Sequence, residues 1–153
     1  MNLNRRTDYA LRVLLLLAME PERAVDAPTF AERYGISVHH VRKVVQQLAQ
    51  GGWVETRRGR EGGVRLVQPP EAITVGAVVR AFEGDGALLE CFDPARDTCP
   101  LTPACTLKRA LAQAEAAFLA VLDGVTLAEL AQRPAGMRRL LGMEPASTTQ
   151  APA

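Results

Sequence analysis

The chain has 153 residues, 48% of them hydrophobic and 23% charged, with a net charge of +1; that is one domain's length with the balance of an ordinary globular protein. No stretch approaches the roughly eighteen apolar residues of a membrane span, and residues 13–19, VLLLLAM, are the longest such run. The opening residues are not expected to be a secretory leader, and three cysteines, an odd number, argue against a secreted disulfide framework, so a cytoplasmic protein without a membrane partner is expected, its thiols serving as ligands or sensors.

The small net charge conceals two unlike halves. Residues 1–70 hold eleven Lys/Arg and seven Asp/Glu, a net of +4, while residues 71–153 hold seven and ten, a net of −3. A basic half suits a polyanionic partner, although solvated surface charge alone has the same signature.

Taken in chain order, Tyr9, Val13, Leu16 and Leu17 recur at helical spacing, predicting a helix from Arg5 to Met19 that Pro21 ends. Pro28 to Tyr34 predicts a short second helix, with proline in its first turn and Gly35 just past its end. Ser37 is a good N-cap for a third helix, VHHVRKVVQQLAQ, whose Val38, Val41, Val45 and Leu48 share one face and which Gly51-Gly52 stop. Two helices across a tight glycine-containing turn make a helix-turn-helix. The outer face of the third helix carries His39, His40, Arg42, Lys43 and Gln46, donors suited to base edges and phosphates, with Ser37 and Val38 at its leading turn. A solvated face is the plain alternative.

The next segment decides between them. WVETR at 53–57 and VRLV at 64–67 alternate like strands, and the basic, glycine-rich RGREGG lies between them. A helix-turn-helix followed by such a hairpin is a winged helix: the third helix would enter the major groove while Arg57, Arg58 and Arg60 reach the minor groove or the backbone. Double-stranded DNA is therefore the expected partner of residues 1–70.

Pro69-Pro70 closes that module. Thr74 caps a helix, VGAVVRAFEG, which Gly84 and Gly86 end. Residues 90–108 then read ECFDPARDTCPLTPACTLK and contain every cysteine: Cys91, Cys99 and Cys105. Three thiols are one short of the four ligands common in iron–sulfur and structural zinc sites. Nothing pairs a nucleophile with a base, so an enzyme is not expected; Asp93 and Asp97 near the thiols read as solvated acids.

From Thr106 one long helix is predicted, in which Leu107, Leu111, Ala114, Phe118 and Val121 recur at intervals of four, three, four and three residues. That seam suits a second copy of the same helix, with packing on the first helix as the alternative. A homodimer would read a palindromic operator with half-sites about one helical turn apart, and a partner subunit could donate the missing ligand. Thr126 and Glu129 form a capping box for another short helix. Residues 71–142 thus hold the thiol loop and the dimerisation helix, and 143–153 form a small, polar tail expected to be disordered. The fold class is mainly α with a small β-hairpin wing.

TDYALR, GISVHHVRKVV, ETRRGREGGVRL and the three thiols before a long helix together resemble the Rrf-type bacterial winged-helix regulators that carry an iron–sulfur cluster, over roughly residues 1–142. Within that family ECFDPARDTCPLTPACTLKRAL and LDGVTLAEL are most similar to its nitric-oxide-sensing repressors. The resemblance implies cluster ligation by Cys91, Cys99 and Cys105, with a fourth ligand at Asp8 from the other subunit. A four-iron cluster is preferred to a two-iron one, although both occur in the family and the thiol count does not separate them, and the expected response is release of the operator when nitric oxide nitrosylates the cluster. A cluster-biogenesis branch uses a histidine just after the third cysteine; here that place is Lys108, and the only histidines are His39 and His40. Glu90-Cys91-Phe92 also fits an iron-responsive branch. Zinc held with Asp8 or water, and metal-free redox thiols, complete the alternatives.

Overall fold

A computed structural model describes residues 3–57, 59, 62–84, 87–132 and 134–143. Helix α1 runs from Arg5 to Met19 and starts where Asn4 accepts hydrogen bonds from the amides of Arg6 and Thr7, satisfying two of the donors a helix start leaves open. Its Ala10, Val13, Leu14, Leu16 and Leu17 are all but fully buried, and each such leucine contributes roughly 1.5–3 kcal/mol. Helix α2 (Ala27–Tyr34) is capped by Asp26, whose carboxyl is held below the usual range by hydrogen bonds from Thr29. Gly35, at φ 63°, turns the chain in the left-handed region, and Ile36 N–H returns to Ala31 O at 2.9 Å. Ser37 then caps α3 (Val38–Gln50), which turns Val41, Val44, Val45 and Leu48 inward.

Strands β1 (Val54–Arg57) and β2 (Gly63–Leu66) pair antiparallel, with Val54 opposite Leu66 and Arg57 opposite Gly63. The hairpin does not stand alone. Val25, in the α1–α2 connection, exchanges hydrogen bonds with Val64 at 3.1 and 2.9 Å. Gly63 permits that approach: at φ +150° a Cβ there would come within 3.1 Å of the Val25 backbone.

Helix α4 (Val75–Glu83), capped by Thr74, returns to the start of α1, where Glu83 accepts from Asn4 N–H at 2.8 Å and from the Thr7 hydroxyl. Helix α5 (Thr106–Asp123) packs on α4. Gly76 lets the end of α5 come close, and Arg80 makes a two-pronged contact with Asp123, both prongs 2.5 Å. Val75 N–H to Val125 O and Leu127 N–H to Ile73 O stitch this junction further. The expected capping box opens α6 (Leu127–Ala131), with Thr126 and Glu129 bonded reciprocally.

Helix α7 (Pro134–Leu140) has no counterpart in the sequence reading. Its Arg138 donates to Met19 O and to Glu20, which also faces Arg33 at 3.5 Å. Met143, the first residue assigned to the tail, is buried in the core, joined there by Ile73, Val78 and Leu127; residues 144–153 lie outside the described residues, as does Gly86. The core is thus continuous across Pro69-Pro70.

The long helix has a less symmetric environment than its repeat suggests. Leu111, Glu115, Phe118, Leu119 and Leu122 are half-buried, whereas Leu107, Ala114 and Val121 are exposed. The seam is split, one side covered by α4 rather than α1 and the other uncovered. Among the described residues no helix is long and apolar enough to cross a membrane.

Candidate nucleic-acid interface and metal centre

Burial of Val41, Val44, Val45 and Leu48 on one side of α3 forces its remaining positions outward. Ser37, His39, His40, Arg42, Lys43 and Gln46 are exposed and Val38 is half-buried, the arrangement the sequence predicts. The Tyr9 ring lies 6.2 Å from that of His40, so α1 backs the leading turn of α3. Between α3 and the hairpin runs an open groove of about 590 Å³ bordered by Arg42, Gln46, Arg57 and Gly59. Arg57 meets Glu55 on the same strand at 2.8 Å, with the arginine side chain 63% exposed; such a pair is worth about 0–1 kcal/mol and yields readily to a phosphate. Arg58 and Arg60 lie outside the described residues.

The thiols occupy the connection between α4 and α5. Cys91 sits half-buried in a 3₁₀ turn, Glu90–Phe92; Cys99 is exposed; Cys105, half-buried, caps α5 and accepts the Lys108 amide on its sulfur at 3.3 Å. All three are free. The positive end of a helix dipole favours the negative charge that a metal-bound sulfur carries.

The loop's acids are bracing rather than merely solvated. Glu90 accepts from the Thr98 hydroxyl and amide, Asp97 from Cys99 N–H and the Thr102 hydroxyl, and Asp93 from Ala95 N–H. Lys108 Nζ lies 5.9 Å over the Phe92 ring.

Among the described residues of one chain, no three His, Cys, Asp or Glu side chains gather closely enough to hold a metal. The donor types nonetheless fit an iron–sulfur cluster: soft, unpaired thiols on one proline-stiffened loop.

Asp8 lies in the first turn of α1, gripped at both oxygens by Arg12 at 2.8 and 2.7 Å, and both side chains are 43% exposed. Sequence reasoning missed Arg12, although its i,i+4 spacing from Asp8 is the usual signal for such a pair. Behind it, the Tyr34 hydroxyl donates to Arg12 O at 3.0 Å, and burial pushes that hydroxyl's pKa up to about 12. Tyr34 thus stays a neutral donor under ordinary conditions.

Residues 3–133 match the Rrf2 family, described as an iron-dependent transcriptional regulator. The chain belongs to the Rrf2 family. Its relatives include the HTH-type transcriptional regulator NsrR of Bacillus subtilis (strain 168), 46% identical over 94% of this chain and 99% of that protein. NsrR of Geobacillus kaustophilus is also 46% identical, over 92% and 97%, and protein aau3 of Rhizobium meliloti is 40% identical over 94% of each. Among solved structures, CymR (YrzC), the global cysteine regulator of B. subtilis, superposes with a TM-score of 0.70 at 28% identity, covering 86% of this chain and 97% of that one. T. potens IscR, at 23% identity, shares the fold with a TM-score of 0.72 over 95% and 94%. This Rrf2 member is therefore a DNA-binding transcriptional regulator with a winged helix-turn-helix, and its NsrR relatives are named as regulators, not enzymes.

Proposed function

We propose that this Rrf2 member is a homodimeric, cytoplasmic repressor that holds an iron–sulfur cluster on Cys91, Cys99 and Cys105 and leaves a palindromic operator in response to nitric oxide. The observation that carries the reading is the set of three free thiols on the loop entering α5, in a chain matched nearly end to end by relatives named NsrR. The bound cluster would supply iron open to nitric oxide, with four irons favoured over two.

Dimerisation is supported by the uncovered half of the α5 seam. Leu107 and Val121 are 62% and 68% exposed, and a second α5 would remove them from water. The fourth ligand in this reading is the partner subunit's Asp8. The exposed grip of Arg12 on that carboxylate costs little to loosen, so Asp8 would be free to serve as a ligand when the cluster is bound. Such a ligand would be weaker than a thiolate and would make that corner of a bound cluster the most open to attack. The α1 helix carries Asp8 beside Tyr9, which backs His40, so movement of the carboxylate would be felt at the leading turn of α3. Changing operator occupancy from nearly all to nearly none requires the two arrangements to differ by about 5 kcal/mol in their preference for the intact cluster.

Anaerobically purified protein, with iron and sulfide counted, is titrated on operator DNA with a nitric oxide donor and separately with an iron chelator. Release at stoichiometric nitric oxide is the expected result. Release by chelator alone would overturn the proposal and favour a second reading, an iron- or cluster-status regulator, to which the family's iron-dependent description lends support.

The wing makes its own prediction. Alanine at Arg57, Arg58 or Arg60 lowers operator affinity, and each arginine that neutralises a phosphate reduces the salt slope by about 0.9. An unchanged slope in filter-binding or anisotropy titrations removes that side chain from the interface.

A further inference from the structure

We infer that Glu90 is a positioning residue whose carboxylate latches Thr98 so that Cys91 and Cys99 are presented side by side as a matched pair. Glu90 Oε1 accepts two hydrogen bonds from Thr98, one from the hydroxyl at 2.6 Å and one from the amide at 3.3 Å. This closes the nine-residue loop Glu90–Thr98; Cys91 lies one chain step, about 3.8 Å between Cα atoms, inside one end of the latch and Cys99 one step outside the other. Two neighbouring contacts fix the direction of the pair. Asp97 holds the Cys99 amide at 3.0 Å and the Thr102 hydroxyl at 3.0 Å, while the Phe92 ring is covered by Lys108. Cys105 is set separately, by the start of α5. The loop therefore has two differently supported parts, a latched pair and a helix-borne third sulfur, with Lys108 touching both. One carboxyl oxygen accepting from both the hydroxyl and the amide of a single residue suits the task, because the latch opens only when both bonds break.

The inference rests on the loop being a cluster site, but its test needs no cluster. Full-length metal-free protein carrying Cys105→Ser retains only Cys91 and Cys99, and phenylarsine oxide, which bridges two thiols only when they lie close together, reports their proximity. The parent should bind one equivalent and resist displacement by a monothiol. Glu90→Ala should weaken retention about ten-fold, the scale of a lost charged hydrogen bond, while Glu90→Gln, which keeps an acceptor oxygen, should restore most of it. In a Cys99→Ser background, where Cys91 and Cys105 form the pair, Glu90→Ala should have little effect. Equal loss in both backgrounds, or no loss in the first, overturns the latch. Iron retention after anaerobic reconstitution of Glu90→Ala is measured separately, so failure of the cluster reading leaves the arsenical result standing.

Discussion

Replacing Glu20 with alanine is expected to lower the unfolding free energy by about 3–5 kcal/mol, the cost of removing one partner from a buried ion network. Glu20 is only 9% exposed and faces two guanidinium groups, Arg33 and Arg138, themselves 15% and 16% exposed. Deleting the carboxylate leaves two positive charges close together with little water to screen them. Arg138 keeps its bond to Met19 O and other company, which places the loss towards the lower end of that range. The chain's single tryptophan, Trp53, packs near Phe82 and offers a fluorescence signal for denaturant titration. Arg139→Ala, on the exposed side of the same short helix, should stay within about 0.5 kcal/mol. A Glu20→Ala loss below about 1 kcal/mol would mean that the network is not a structural tie.

The second large effect is expected at Gly76. Glycine to alanine inside a helix ordinarily gains about 0.5–1 kcal/mol. Here the added methyl would stand 2.8 Å from the Asp123 backbone nitrogen and closer still to its carboxylate. The side chain can swing away; the backbone cannot, and overpacking of this kind costs about 1–3 kcal/mol. The sign should therefore reverse. Displacing α5 from α4 also loosens the Arg80–Asp123 contact, which presently holds the Asp123 carboxyl below its usual range and the Arg80 guanidinium above its own. Gly136→Ala in α7, where the methyl meets nothing within 4 Å, is the natural comparison and should be neutral or stabilising. If both variants melt alike, the close approach at Gly76 carries no weight. If they diverge, operator affinity should fall with Gly76→Ala alone, because the added methyl also strains α4, which ties the later helices to α1.

Local signals were readable where one stretch of chain carries its own cause. Ser37, Thr74 and Thr126 cap the helices expected of them, since a side chain three residues from its amide partner is a sequence-level fact. The outer face of α3 and the hairpin strands followed from period alone. The unread parts depend on partners far apart in the chain. Glu20, Arg33 and Arg138 are unremarkable until the fold brings them together. Gly76 looks like an ordinary weak point in a helix until Asp123 arrives. The repeat along α5 identified apolar positions correctly but not what covers them, because a four-three pattern is the same against any neighbouring helix. At the thiol loop the ligand types were legible and the scaffold was not: Glu90 and Asp97 are acids in sequence and brackets in three dimensions.

The strand pairing of Val25 with Val64 has a consequence for how such a regulator evolves. Because the hairpin's second strand is fastened to the connection between the first two helices at Val64, one residue pair short of the turn, the hairpin is held near its tip as well as where it leaves α3. If the tip contacts DNA as proposed, substitutions beyond that anchor would alter which sequences are preferred without retuning the angle of approach, and specificity would drift while the anchor stays put.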